Sequence, residues 1–145
     1  MTTSFPSPIL VGSDGSPTAH AAIDLARQIV QATGASLHIA HVTLISAAIH
    51  PDTLSQGQFQ RIQTEAQKRL DDEKAYAANL GITFDAAHLR FGRTDFEILS
   101  VAEDIGAGLI VIGNRSGQAL ARILLGNDAE SIVRHAPCHV LVARA

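Results

Sequence analysis

The 145-residue chain has one cysteine, Cys138, so it forms no internal disulfide framework and suits a reducing compartment. It has no cluster of Lys and Arg and a formal net charge of −3, which disfavours nucleic acid as a partner. No uninterrupted apolar run approaches the roughly 20 residues of a membrane-spanning helix. The first residues, Met1-Thr2-Thr3-Ser4-Phe5-Pro6, lack the basic start and long apolar region of a secretory leader. The expectation is therefore a cytoplasmic protein with no membrane partner.

Several familiar chemistries are missing as well. There is no G-x-x-x-x-G-K-[ST] sequence, which excludes P-loop chemistry. Gly12-Ser13-Asp14-Gly15-Ser16 has Asp at its centre, where a nucleophile elbow needs Ser. Ser16 stands two residues after Asp14, where a phosphatase-type site would place a second aspartate. The acidic pair of a phosphoacceptor domain is also absent after the first strand. The chain has seven histidines, yet no set of Cys, His and carboxylates has zinc spacing. His38 and His41 are three apart and point to opposite faces of a strand; His135 and His139 straddle Pro137.

What is present is a globular composition, 46% hydrophobic and 17% charged, of a length that makes one domain, residues 1–145. Ile9-Leu10-Val11-Gly12 reads as a buried strand. Ser16 then caps a helix with Pro17 as its first residue; Ala19, Ala22, Ile23, Ala26, Ile29 and Val30 recur at helical spacing up to Gly34. Leu37 to Val42 is a second strand, and Phe59, Ile62, Ala66, Leu70, Ala77 and Leu80 mark a long helix ending at Gly81. The polar stretch from Ser55 to Lys74 reads as the solvated face of that helix. The loop before it, Leu44 to Leu54, is the segment best placed to move over a ligand.

The remaining elements follow the same alternation. A third strand is expected over Ile82 to Leu89, a helix capped by Thr94 or Asp95, and a fourth strand over Leu109 to Ile112. Asn127 or Asp128 opens the last helix, Pro137 stops it, and Val140-Leu141-Val142 is the last strand. Helical crossovers between strands force a parallel sheet covered on both faces. Ligands of such sheets sit beyond the carboxyl ends of the strands, where the strand order switches. That brings together Gly12-Ser13-Asp14, His41-Val42-Thr43 and the loop after Gly113. His41 reads there as a polar wall residue, and Cys138 as a structural thiol.

The run Ile110-Val111-Ile112-Gly113-Asn114-Arg115-Ser116, followed by Leu124-Leu125-Gly126-Asn127, has the chemistry of a strand feeding a phosphate-cradling loop and helix start. With Ile9 to Ser16, Leu37 to Val42, and Arg134-His135-Ala136-Pro137-Cys138-His139-Val140-Leu141-Val142, it resembles the universal stress proteins over essentially the whole chain. The resemblance implies a single Rossmann-like α/β domain of the adenine nucleotide alpha hydrolase-like kind. It implies five parallel strands in order 3-2-1-4-5, helices on both faces, and a homodimer through the last strand. An unpaired apolar last strand would itself be an aggregation hazard, which a two-fold dimer removes.

Family members that bind ATP or a related adenine nucleotide carry a glycine, two residues, a second glycine, nine residues, and Gly-Ser or Gly-Thr. Gly113 and Gly126 match the outer glycines. Ser116 stands at the second glycine with Gly117 one place later, and Asn127 replaces the final Ser or Thr. Asp128 occupies a usually small or apolar position, and Gly108 replaces an Asp that often precedes the fourth strand. The resemblance implies phosphate contacts from Gly113, Arg115, Ser116, Gly126 and Asn127, with Asp14 and Val42 on the nucleoside. Gly12, Ser13, Ile112, Asn114 and Asp128 complete the expected binding site. Asp14 also reads as a simple Asx turn, Val42 as a plain strand residue and Ile112 as core.

Asp128 competes with a bound polyphosphate for the helix-start field, so AMP or cyclic AMP suffers less repulsion than ATP with its Mg2+. Arg115 offsets part of this. Two readings stand. One is an adenine-nucleotide-binding stress regulator, with no enzyme activity beyond slow ATP hydrolysis. The other is a dimeric interaction module whose phosphate loop is an empty remnant.

Overall fold

The computed structural model describes residues 4–45, 54–114 and 127–144. They form β1 (Ile9–Ser13), α1 (Pro17–Thr33), β2 (Leu37–Leu44), α2 (Gln56–Asn79), β3 (Ala86–Gly92), α3 (Thr94–Ile105), β4 (Leu109–Gly113), α4 (Asn127–His135) and β5 (His139–Ala143). The strands make one five-stranded sheet in the order β3-β2-β1-β4-β5. Every pairing is parallel. This is the α/β architecture expected from the alternation of strand and helix patterns. No helix among the described residues is long and apolar enough to cross a membrane.

Period-2 alternation along each strand sends side chains to two separate cores. Ile9, Val11, Leu37, Ile39 and Val111 pack with Ala22, Ile23 and Ala26 of α1 and Leu70 and Ala77 of α2. Leu10, Ala40, Val42, Ile110 and Ile112 pack on the other face with Ile98, Val101 and Ala102 of α3 and Ala129 and Ile132 of α4. β1 lies in the middle of the sheet and is buried at every residue. Its near-continuous apolar run is what a strand covered on both faces requires.

Helix ends show local chemistry at work. Gly34 adopts the left-handed conformation (φ 72°) and closes α1 by donating its N–H to the Val30 carbonyl. Ser16 holds the cap position of α1, but its hydroxyl pairs with Thr18 Oγ1 at 3.0 Å instead of capping. α2 opens on a capping box: Ser55 Oγ accepts from the Gln58 N–H, and Gln58 Oε1 accepts from the Ser55 N–H.

Three local expectations need correction. β3 runs over Ala86–Gly92, not Ile82 to Leu89. The Ile82 N–H bonds the Ala77 carbonyl and its side chain fills the core under α2, so it is apolar without being strand. Asp85 then starts the ladder: its N–H reaches the Leu37 carbonyl at 2.7 Å and its carboxylate accepts the Leu37 N–H at 2.8 Å. Second, Arg93 is the cap residue of α3, Thr94 is its first helical residue, and the Asp95 carboxylate is engaged elsewhere. Third, the polar stretch of α2 is not wholly a solvated face, because Glu73 is only 4% exposed.

Gly108 also has a structural reason. A Cβ there would lie 2.7 Å from the Ser7 nitrogen and 2.9 Å from the Pro6 carbonyl carbon. The entering chain therefore crosses directly over the start of β4. Gly108→Ala should cost about 1–3 kcal/mol through this overpacking. Urea unfolding checks it; an unchanged midpoint would show that the Pro6-Ser7 segment retreats freely.

Candidate functional site

β1 is the point where the chain order reverses: β2 lies on one side of it and β4 on the other. β1 and β4 pair from Ile9↔Leu109 to Gly12↔Ile112 and then part, β1 leading into α1 and β4 leading on toward α4. A cleft opens there, bounded by the β1–α1 turn, the first turn of α3 and the first turn of α4. Its cavity volume is about 30 Å³, room for one or two water-sized groups.

Of the residues expected at the site, Gly12, Ser13, Asp14, Ile112, Gly113 and Asp128 line this cleft. Val42 and Asn114 do not. Val42 is buried in the core against α3, one residue beyond the last β1 pairing, Ser13↔His41, while β2 continues against β3 to Leu44. Asn114 is buried, and its N–H bonds the Ala143 carbonyl of β5 at 2.8 Å. Asn127 is the first residue of α4. Arg115, Ser116 and Gly126 lie outside the described residues.

Both glycines of the cleft are sites of close approach. A Cβ on Gly12 would meet Ile98 Cδ1 at 2.6 Å, and one on Gly113 would meet the Thr18 carbonyl oxygen at 2.5 Å. Gly113 thus lets α1 lie against the end of β4, independently of any ligand. Asp14 forms the Asx turn that its sequence allows: Oδ1 accepts the Ser16 N–H at 2.9 Å. Ser13 Oγ accepts the Gly15 N–H at 3.2 Å. The same turn therefore shapes the loop and turns Asp14 toward the cleft wall.

The α3 side of the cleft depends on Asp95. Its carboxylate accepts Arg93 Nε–H at 2.7 Å, Arg93 Nη2–H at 3.0 Å and Ser131 Oγ–H at 2.6 Å. α3 is thereby tied to α4. The Arg93 guanidinium holds the Asp95 carboxyl well below the usual carboxylate range; burial opposes this and Ser131 assists. Arg93 is raised in turn, first by its hydrogen bonds to Asp95 and more weakly by Asp128. Arg93 is thus a cation committed to Asp95, with only a weak attraction to Asp128. Beside these groups, Thr94 is 4% exposed, lines the cleft, and its hydroxyl has no partner among the described residues.

On the opposite face of the sheet, His41 Nδ1 and Glu73 form a buried pair between β2 and α2. His41 is therefore not a wall of the cleft. A Cβ on Gly15 would come within 3.6 Å of His41 Cε1, so the imidazole supports the β1–α1 turn from below. Glu73 was legible in one respect: with Ala66, Leu70 and Ala77 it lies on the buried stripe of α2. Among the described residues no group of three or more His, Cys, Asp or Glu is placed to hold a metal ion. Burial pushes the Cys138 thiol up, against a reactive thiolate.

The universal stress protein family model matches residues 7–144. The chain belongs to the universal stress protein family. A universal stress protein of Staphylococcus epidermidis is 34% identical over 142 residues, covering 94% of this chain and 82% of its own. Among solved structures, the universal stress protein UspA of Lactobacillus plantarum superposes with a TM-score of 0.76 at 23% identity, over 97% of this chain and 100% of that one. A universal stress protein solved in complex with cAMP gives 0.70 at 23% identity, over 93% and 95% of the two chains. One from Archaeoglobus fulgidus in complex with dAMP gives 0.65 at 19% identity, over 94% and 96%. These likenesses show that this fold is the family's.

Asp95→Ala should cost about 2 kcal/mol at neutral pH, because three donors lose their acceptor. The folded state holds the Asp95 carboxyl below its unfolded range. Its contribution is therefore present above about pH 4 and lost as the pH falls further. Urea unfolding at pH 7 and pH 3.5 should show the difference between wild type and variant shrinking at acid pH. An equal difference at both would remove the ionised carboxylate from the account.

Proposed function

We propose that this protein binds an adenine nucleotide at the carboxyl ends of β1 and β4, with AMP or cyclic AMP preferred over ATP with Mg2+. The observation that carries the reading is the cleft at the switch in strand order, lined by Asp14 on β1's exit, Gly113 at the end of β4 and Asp128 in the first turn of α4. Relatives of this fold solved with cAMP and with dAMP support the choice of an adenine monophosphate. The cleft volume is far below that of a nucleotide, so only part of the ligand enters it. The phosphate is assigned to the start of α4, where Gly126 and Asn127 stand in the family's binding pattern. Asp128 weighs against each added phosphate charge, and Arg93, which it attracts only weakly, is already paired with Asp95.

Isothermal titration with ATP, AMP and cyclic AMP, each with magnesium, tests this. Micromolar binding of a monophosphate, with weaker ATP binding, is the expected result. No heat, and no rise in melting temperature at millimolar ligand, would leave the domain as a non-binding interaction module. Asp128→Ala should tighten ATP binding about two- to fivefold, the scale of a charge at a helix start. Unchanged ATP affinity in a protein that binds ATP would end the repulsion account.

We also propose a two-fold dimer through β5. It is an edge strand, and Val140, Leu141 and Val142 are half-buried along it. A second copy would complete the ladder and cover these side chains. Sedimentation equilibrium should give twice the 15.3 kDa chain mass; a monomer at micromolar concentration would refute it.

A further inference from the structure

The geometry points to Thr94 as a ligand-contacting residue of this cleft, one that pairs its hydroxyl with a ribose hydroxyl of the nucleotide. The inference rests on the nucleotide reading and names which part of the ligand enters the cleft.

Thr94 is the first residue of α3, a position where a threonine hydroxyl ordinarily faces water or caps the helix. Here it does neither. Arg93 is the cap residue, and Thr94 is 4% exposed. Asp95, the neighbouring carboxylate, is engaged by Arg93 and Ser131. Thr94 Oγ1 is left buried and without a partner among the described residues. An unmade hydrogen bond of this kind is unfavourable, and a valine of the same shape would avoid it. The folded chain gains nothing visible from this oxygen, whereas a ligand in the cleft would.

Size, charge and hydrogen-bond sense select the ligand group. The cavity is about 30 Å³, the scale of one or two water-sized groups such as a hydroxyl and too small for a purine ring. Ile98, Ile112 and Ile132 form its apolar side, and Asp14 and Asp128 its acidic side. Two carboxylates repel a phosphate and accept hydrogen bonds only, so the entering group is not an anion and must carry a donor. A threonine hydroxyl both donates and accepts. A sugar hydroxyl has this full complement: it donates to a carboxylate and exchanges one hydrogen bond with Thr94. Oriented this way, the ribose edge points inward between β1 and α3, and the phosphate lies outward toward α4.

The test compares wild type, Thr94→Val, Thr94→Ser and Thr94→Ala, each titrated with AMP, 2′-deoxy-AMP and 3′-deoxy-AMP, with melting curves of the unliganded proteins. Wild type and Thr94→Ser should bind AMP more tightly than one of the deoxy analogues. Thr94→Val should lose about three- to tenfold in AMP affinity and much less for that analogue, the coupling expected of two groups in contact. Its unliganded melting temperature should equal or exceed that of wild type. Thr94→Ala carries the same comparison if the valine variant does not fold. Equal losses for AMP and both analogues would place Thr94 away from the sugar and overturn the assignment. Unchanged AMP affinity would show that the hydroxyl is served by water alone, overturning it while leaving the nucleotide reading intact. A wild type that binds none of the three overturns both.

Discussion

The close approach between the end of β4 and the first turn of α1 shapes the working end of this fold. Gly113 has no side chain to keep the Thr18 backbone away; a Cβ there would sit 2.5 Å from its carbonyl oxygen. α1 follows with Ala19, Ala22 and Ala26 on its buried face, so the helix lies low over the sheet along its length. Because β1 and β4 are held in register up to Gly12↔Ile112, the two chains diverge at a fixed level. The cleft is the space left by that divergence. A larger residue at position 113 would displace α1 and with it the turn that carries Asp14.

Two side-chain pairs back the loops around this space from opposite faces of the sheet. Asp95 gathers Arg93 and Ser131 and so joins α3 to α4. His41 and Glu73 join β2 to α2 beneath the Gly15 turn. Their settings differ. The Arg93 side chain is 72% exposed, while the His41 side chain is 1% exposed and the Glu73 side chain 6%. A buried pair contributes little net stability, yet removing one partner strands the other without water. The His41–Glu73 pair therefore acts chiefly as a constraint on where α2 lies relative to the turn. One oxygen of Glu73 also lacks a partner among the described residues, so that constraint is itself incompletely satisfied.

Much of this was legible in the chain, for identifiable reasons. The alternation Ile9-Leu10-Val11 and the helical recurrence of Ala19, Ala22, Ile23 and Ala26 report burial directly, and the two cores follow from them. Strand order came from family resemblance, since periodicity says nothing about neighbours. What the sequence concealed is where polar groups are satisfied through space. Asp85 and Leu37 are 48 positions apart, yet together they set the start of β3. Asp95 reads as a helix cap because its partner Ser131 lies 36 positions away. Gly108 reads as a missing aspartate until the backbone of Pro6 and Ser7 is seen above it. At the site, Gly12-Ser13-Asp14 and Gly113 meet at the cleft, whereas His41 and Val42 do not line it, and the partnerless hydroxyl of Thr94 carries no signal in one dimension.

Charge at the mouth of the cleft bears on what the proposed site would discriminate. The start of a helix offers roughly half a positive charge to an anion. In α4 that offer is met from within, because Asp128 and Glu130 both occupy its first turn. Arg93 feels Asp128 only weakly and is already held by Asp95. The carboxylates therefore outweigh the helix-start field and the local balance is net negative, where an unmodified helix start would be positive. A site so arranged gains little from each extra phosphate and depends more on neutral contacts inside the cleft. Selectivity in the proposed site then arises from how many charges the ligand brings and whether its sugar edge fits, with shape at the phosphate end mattering less.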